Sequence, residues 1–170
     1  MTGLRQAMEH DELLLMYQPK TAIASGAPAG VEALVRWQHP EHGLLTPESF
    51  FPLAERTGLI KPLSHWLLNA ALRQCRAWRQ AGLELDVAVN ISIRNLQDPQ
   101  FPQDVARLLR TYGLPPSCLE VEIDEGALTA DNVVEVVTRL SDLGVRLTID
   151  DFGSGYASLT YLKRLPIRGI

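Results

Sequence analysis

Five oxygen-donor side chains sit on or at the ends of apolar runs: Glu32, Asn90, Glu122, Asp150 and Asp151. The last two are adjacent, after Val145 to Ile149 and before Phe152-Gly153-Ser154-Gly155-Tyr156. Neighbouring residues of a strand point to opposite faces, so Asp150 and Asp151 share one site only where the backbone turns. Gly153 and Gly155 supply such a turn, since glycine takes positive φ at little steric cost. Two carboxylates held side by side repel unless a proton or a cation lies between them. Asn90 interrupts the apolar run Val87 to Ser92, where an unpaired polar group costs about 1–3 kcal/mol, so its amide needs a partner. Four carboxylates and one amide, with no Cys or His among them, favour hard divalent ions such as Mg²⁺ or Mn²⁺. Two such ions about 3.5–4 Å apart suit in-line displacement at phosphorus, with a bridging water as nucleophile. These residue types point to metal-dependent phosphoester chemistry.

The elements that must position them follow from periodicity and punctuation. Leu4 to Glu12 reads as a short helix and Leu13 to Gln18 as a strand ending at Pro19. After the turn Ser25-Gly26-Ala27-Pro28, Gly30 to Trp37 alternates, with Val31, Ala33, Val35 and Trp37 on one face and Glu32, Leu34 and Arg36 on the other. In an ordinary half-exposed strand Glu32 and Arg36 would form a charge pair. Gln38 to Gly43 reads as a loop whose His39, Glu41 and His42 are surface residues rather than a metal site. Thr46 caps a helix that opens on Pro47 and runs to about Arg56. Leu63 to Gln80 is helical, with Leu67, Ala70, Ala71, Cys75 and Trp78 on one side and Gly82 as stop signal. A strand at Val87 to Ser92, a helix at Phe101 to Tyr112 and a strand at Leu119 to Ile123 come next. Asp131 caps a helix from Asn132 to Leu143. The strand Val145 to Ile149, a helix from Ser158 to Leu165 and the approach to another strand complete the order. From Val87 onward strand and helix alternate in the manner of βαβ units. Near-continuous apolar strands point to a parallel sheet, which an eight-stranded α/β barrel and a doubly wound sheet both satisfy. No glycine-rich dinucleotide fingerprint follows an early strand, which disfavours the Rossmann type. In a parallel barrel the C-terminal strand ends converge on one mouth, and that is where the five donors would meet.

Composition narrows the setting. The 170 residues with 46% hydrophobic content suffice for one domain with a real core. The net charge of -4 has no basic block in it, which disfavours binding to long nucleic acid. Cys75 and Cys118 form no CxxC pair and read as core fillers of a reduced compartment. Met1 to His10 is too polar for a signal peptide, and no apolar run approaches ~18 residues. The expectation is a soluble, cytoplasmic domain.

Val31-Glu32-Ala33-Leu34-Val35-Arg36-Trp37 resembles the signature of the EAL domain family, the cyclic di-GMP phosphodiesterases. The resemblance extends to Tyr17-Gln18-Pro19, His39-Pro40 with Gly43, Pro47 with Phe50, Pro52 to Ile60, Asn90-Ile91-Ser92, Glu122-Ile123-Asp124-Glu125, Asp150 to Tyr156 and Tyr161 to Pro166. It implies a TIM-type barrel whose first strand runs antiparallel to the rest, and hydrolysis of cyclic di-GMP to pGpG. By motif match Glu32, Asn90, Glu122 and Asp150 would be metal ligands, Asp151 would bridge two ions, and Glu125 would brace the glycine-rich loop. Gln18, Leu34 and Arg36 match ligand-contacting residues, with Arg36 suited to phosphate because its fork binds two oxygens at once. Asp124 stands where the family usually has Thr, and strand alternation is expected to point it away from the site.

The family motif continues beyond Ile170 with a strand carrying a lysine, and a further glutamate lies past it. The expectation is a partial EAL domain over residues 1–170, roughly the first two-thirds of an incomplete (β/α)8-like barrel. A barrel short of its last strands leaves edges uncovered, so self-association and little or no hydrolysis by these residues alone are expected. In the parent protein an upstream sensor or diguanylate cyclase-like domain is the expected neighbour. A non-catalytic cyclic di-GMP-binding or protein-interaction module is the alternative function.

Overall fold

The backbone alternation of Val31, Ala33, Val35 and Trp37 decides which side of the sheet is packed: all four are buried, while Glu32, Leu34 and Arg36 between them are partly open. The structure is a computed structural model, and it describes residues 3–21, 26, 28–124, 126 and 133–150. Its elements are α1 (Leu4–Glu9), β1 (Leu13–Thr21), β2 (Pro28–His39), β3 (Gly43–Leu45), α2 (Pro47–Arg56), α3 (Ile60–Gln80), β4 (Val87–Asn90), α4 (Ile93–Leu96), α5 (Phe101–Tyr112), β5 (Leu119–Asp124), α6 (Val133–Leu143) and β6 (Arg146–Asp150). The strand order is β1-β2-β4-β5-β6, with β3 pairing β2. β1 runs antiparallel to β2, and the pairs β2–β4, β4–β5 and β5–β6 are parallel.

The crossover helices form one layer: α3 packs on α5 and α5 on α6, while α3 touches β4 and α6 touches β6. Val87, Val89, Val121, Ile123, Leu147 and Ile149 are buried beneath it together with Leu67, Leu68, Ala71, Val105, Val137 and Leu140. Cys75 and Cys118 belong to this core as free thiols, as expected. The opposite face of the sheet is polar, and it curls. In a flat sheet three strand spacings, about 14 Å, would separate β1 from β5, with side chains perpendicular to the sheet. Yet Lys20 Nζ on β1 donates to Glu120 Oε1 at 2.6 Å and Glu122 Oε1 at 2.7 Å on β5. Contact across that interval requires the inner face to be concave, as in a barrel wall. The doubly wound alternative is thereby set aside.

Several boundaries differ from expectation for identifiable reasons. β1 continues through Pro19 to Thr21, because a strand with one described neighbour tolerates a residue that lacks an N–H. The stretch after Trp37 is not a plain loop: β2 and β3 form a hairpin, with Trp37 opposite Leu45 and Gly43 at φ 70° in the turn. His39 is therefore buried rather than on the surface, and its Nδ1 accepts the amides of Glu41 (3.1 Å) and His42 (3.3 Å). That lone pair is committed to the hairpin. α3 begins at Ile60 instead of Leu63, and the strand after Asp86 stops at Asn90, where Ser92 Oγ accepts Arg94 N–H and opens the unforeseen α4. α1 ends at Glu9, short of Glu12. The expected cap at Asp131 and the helix from Ser158 to Leu165 lie outside the described residues. No described helix is long and apolar enough to cross a membrane.

Candidate functional site at the strand ends

Register sets the site. Glu32 is opposite Ala88, Asn90 opposite Glu122, Glu122 opposite Thr148 and Asp124 opposite Asp150. With a side-chain period of two, Glu32, Asn90, Glu122, Asp124 and Asp150 all share the inner face. Asp124 thus corrects the expectation that it points away: Glu122 and Asp124 are two apart and face the same side. Its Oδ1 accepts the amide of Gly126 at 2.7 Å and turns the chain as it leaves β5.

Asn90 has the partners that its burial requires. Its Nδ2 donates to Glu32 Oε1 at 2.8 Å and to Glu122 Oε2 at 3.3 Å, so one amide ties β2, β4 and β5 together. Glu32 and Arg36 do not form a charge pair with each other. Arg36 Nη1 donates to the Val35 carbonyl at 2.8 Å.

Glu122 is 7% exposed and lies beneath the others. Burial raises its carboxyl pKa above the ordinary value, with the Glu32 and Glu120 charges in the same direction and Lys20 opposing. Glu120 behaves differently. Burial alone would raise its pKa, but Lys20, Thr148 and Arg146 together outweigh that and hold it low. The Lys20 ammonium is itself favoured, its two carboxylates outweighing the burial that works against a cation.

Above this cluster opens a cavity of about 810 Å³, a size that suits a small organic ligand. Glu32, Leu34, Arg36, Asn90, Asp124 and Asp150 line its strand side, and Pro47, Phe51, Pro52 and Glu55 of α2 line the other. Gln18 stands opposite Glu32 in the β1–β2 ladder but is not among the described residues lining the cavity. Glu125 and Asp151 lie outside the described residues.

The donors fit a hard cation in chemistry. Glu32 and Glu122 converge on one amide whose nitrogen sits between two carboxylates, and a half-turn about χ2 exchanges that nitrogen for an oxygen. Among the described residues no three Asp, Glu, His or Cys side chains gather closely enough to enclose an ion. The described cluster is two acids and an amide, with Asp150 further along the same cavity wall.

Sequence reasoning missed Lys20, which sits two residues beyond Gln18 on the same face of β1. It also missed the α2 wall, which Pro47 and the Phe50-Phe51-Pro52 run could have suggested as apolar lining.

A curled sheet with one antiparallel leading strand, helices on its outer side and oxygen donors at the carboxyl ends defines a TIM-type α/β barrel of the class that works at its strand-end mouth. The chain belongs to the EAL domain family, whose model matches residues 2–170. It is 46% identical over 166 residues to the bifunctional diguanylate cyclase/cyclic di-GMP phosphodiesterase MucR of Pseudomonas aeruginosa, covering 96% of this chain and 24% of that protein. It is 41% identical over 171 residues to the cyclic di-GMP phosphodiesterase PdeR of Escherichia coli, covering 99% of this chain and 26% of that one. The chain therefore spans about a quarter of the length of these relatives. Among solved structures, the PaMucR phosphodiesterase in its c-di-GMP complex superposes with a TM-score of 0.92 at 45% identity, over 96% of this chain and 68% of that one.

Proposed function

We propose that these residues belong to a phosphodiesterase domain that hydrolyses one ester bond of cyclic di-GMP to give pGpG. The observation that carries it is the Asn90 amide bound to both Glu32 and Glu122 at the base of a cavity that Arg36 and Asp150 line. Similarity to named cyclic di-GMP phosphodiesterases supplies the substrate class. Glu32, Asn90, Glu122, Asp150 and Asp151 would hold Mg²⁺ or Mn²⁺. Such ions, when bound, would lower the pKa of a water so that hydroxide is available to attack phosphorus, and would offset the charge on the phosphate. Arg36 would bind phosphate oxygens through its guanidinium fork, Leu34 and Gln18 would contact the nucleotide, and Glu125 would brace the loop after Asp151. The reading extends to a partial domain over residues 1–170 joined in the whole protein to a sensor or diguanylate cyclase-like unit, and working in the cytoplasm.

The test compares residues 1–170 with the chain extended through the rest of the family domain, each given cyclic di-GMP with Mg²⁺ or Mn²⁺. The extended form is expected to release pGpG and the shorter one little or none. Glu32→Ala in the extended form should abolish ion-dependent turnover. Binding without any pGpG from the extended wild type would favour a receptor.

A further inference from the structure

We propose that Lys20 is a positioning residue that makes Glu122 a one-oxygen ligand and thereby sets which divalent ions the site accepts. The inference rests on the ion-site reading above. The two carboxylate oxygens of Glu122 have different partners. Oε1 receives Lys20 Nζ at 2.7 Å from the floor of the barrel, and Oε2 receives the Asn90 amide at 3.3 Å on the side of Glu32. Lys20 is itself held, because Nζ also contacts Glu120 Oε1 at 2.6 Å, and Thr148 Oγ1 donates to that same oxygen at 3.0 Å. Arg146 Nη2 lies 3.7 Å from Glu120 Oε2. The ammonium therefore has a fixed seat beneath the site. Glu122 has little freedom to rotate both oxygens upward, being 8% exposed in its side chain.

A carboxylate with one oxygen engaged by an ammonium offers the other to a cation. Mg²⁺ needs near-octahedral geometry at short distances and suits such single-oxygen donors, whereas Ca²⁺ takes six to eight oxygens and readily accepts both oxygens of a carboxylate. A lysine that only balanced charge would affect all divalent ions alike, because they carry the same charge. A lysine that fixes the number of oxygens changes the ratio between them.

The experiment is calorimetric titration of the metal-stripped full-length protein with Mg²⁺, Mn²⁺ and Ca²⁺, with Mn²⁺ also followed by EPR. Lys20→Met should raise the affinity for Ca²⁺ relative to Mg²⁺ by roughly tenfold, since Glu122 can then offer both oxygens. Lys20→Arg, long and charged enough to reach the same two acids, should restore the wild-type ratio. Should Lys20→Met fail to fold, Lys20→Met with Glu120→Gln, which also removes the second charge that the lysine neutralises, carries the same expectation. A folded variant with an unchanged Ca²⁺/Mg²⁺ ratio would overturn the role of Lys20 and leave the ion site standing. A wild type that binds none of the three ions would overturn both.

Discussion

Asp124 is a carboxylate that faces a cavity already lined by Glu32 and Asp150, and its Oδ1 accepts the Gly126 amide. A threonine hydroxyl can accept that bond, while an alanine cannot. Asp124→Thr should therefore leave thermal stability within about 0.5 kcal/mol of wild type, and Asp124→Ala should cost about 1 kcal/mol, read by thermal unfolding. Removing its charge should also tighten binding of a dianionic dinucleotide about two- to threefold at low salt, an effect that fades as salt is added. The residue scale was partly legible in advance. Glu32, Asn90 and Glu122 could be grouped because each is a polar interruption in an apolar strand, and that burden is relieved by hydrogen bonds between them. Lys20 could not be grouped with them, because an exposed-looking lysine after a proline carries no sign of acids a hundred residues later. Asp124 was misjudged because alternation was taken to turn it away, whereas a period of two puts it on the same face as Glu122, and β5 runs through both.

Among the elements, β1 and β2 depend on two close arrangements. Gly30 has φ 152°, and a Cβ there would lie 2.7 Å from the Asp86 carbonyl oxygen, which also accepts the Val31 amide at 2.8 Å. Gly30→Ala should destabilise the domain by about 2–3 kcal/mol, measured by denaturant unfolding, because backbone rather than a movable side chain is in the way. The second arrangement is the ionic floor that joins Lys20, Glu120 and Arg146, and through Asp86 reaches Arg79 of α3. The folded state holds the Glu120 carboxyl pKa below its ordinary value of 4.5, so its contribution is present above that value and lost as pH falls through the lower, folded one. The Lys20 pKa is raised above 10.5, so its contribution is present below 10.5 and lost as pH climbs through the folded value. Glu120→Gln should cost about 1–2 kcal/mol at neutral pH, a figure reduced because Lys20 is 34% exposed, and in an acid unfolding series the difference from wild type should begin to shrink near pH 4.5 and vanish only below the lower, folded pKa. Helices α2, α3, α5 and α6 were readable from caps and periodicity, which are local. The hairpin strand β3 and the single turn α4 were not, since three- and four-residue elements have too few positions to display a period.

For the molecule as a whole, βαβ alternation announced a parallel sheet, but its curvature was invisible in composition and periodicity alone. Barrel and open sheet share the same local pattern, and only contacts between non-neighbouring strands distinguish them. The resemblance of motifs chose the barrel, and the Lys20 bridge to β5 gives that choice its physical basis. The same bridge bears on how the domain assembles in time. It links residues 102 apart in sequence, so it forms only after β2, β4 and β5 have been laid side by side. Contacts closed so late are weak in the folding transition state and mostly govern escape from the native basin. Stopped-flow chevrons of Lys20→Met in the full-length domain should show a refolding limb close to wild type and an unfolding limb raised about five- to thirtyfold, for a loss of one to two kcal/mol. The lysine beneath the site would then act as a latch on a closed wall, setting the lifetime of the folded domain more than the speed at which it is reached.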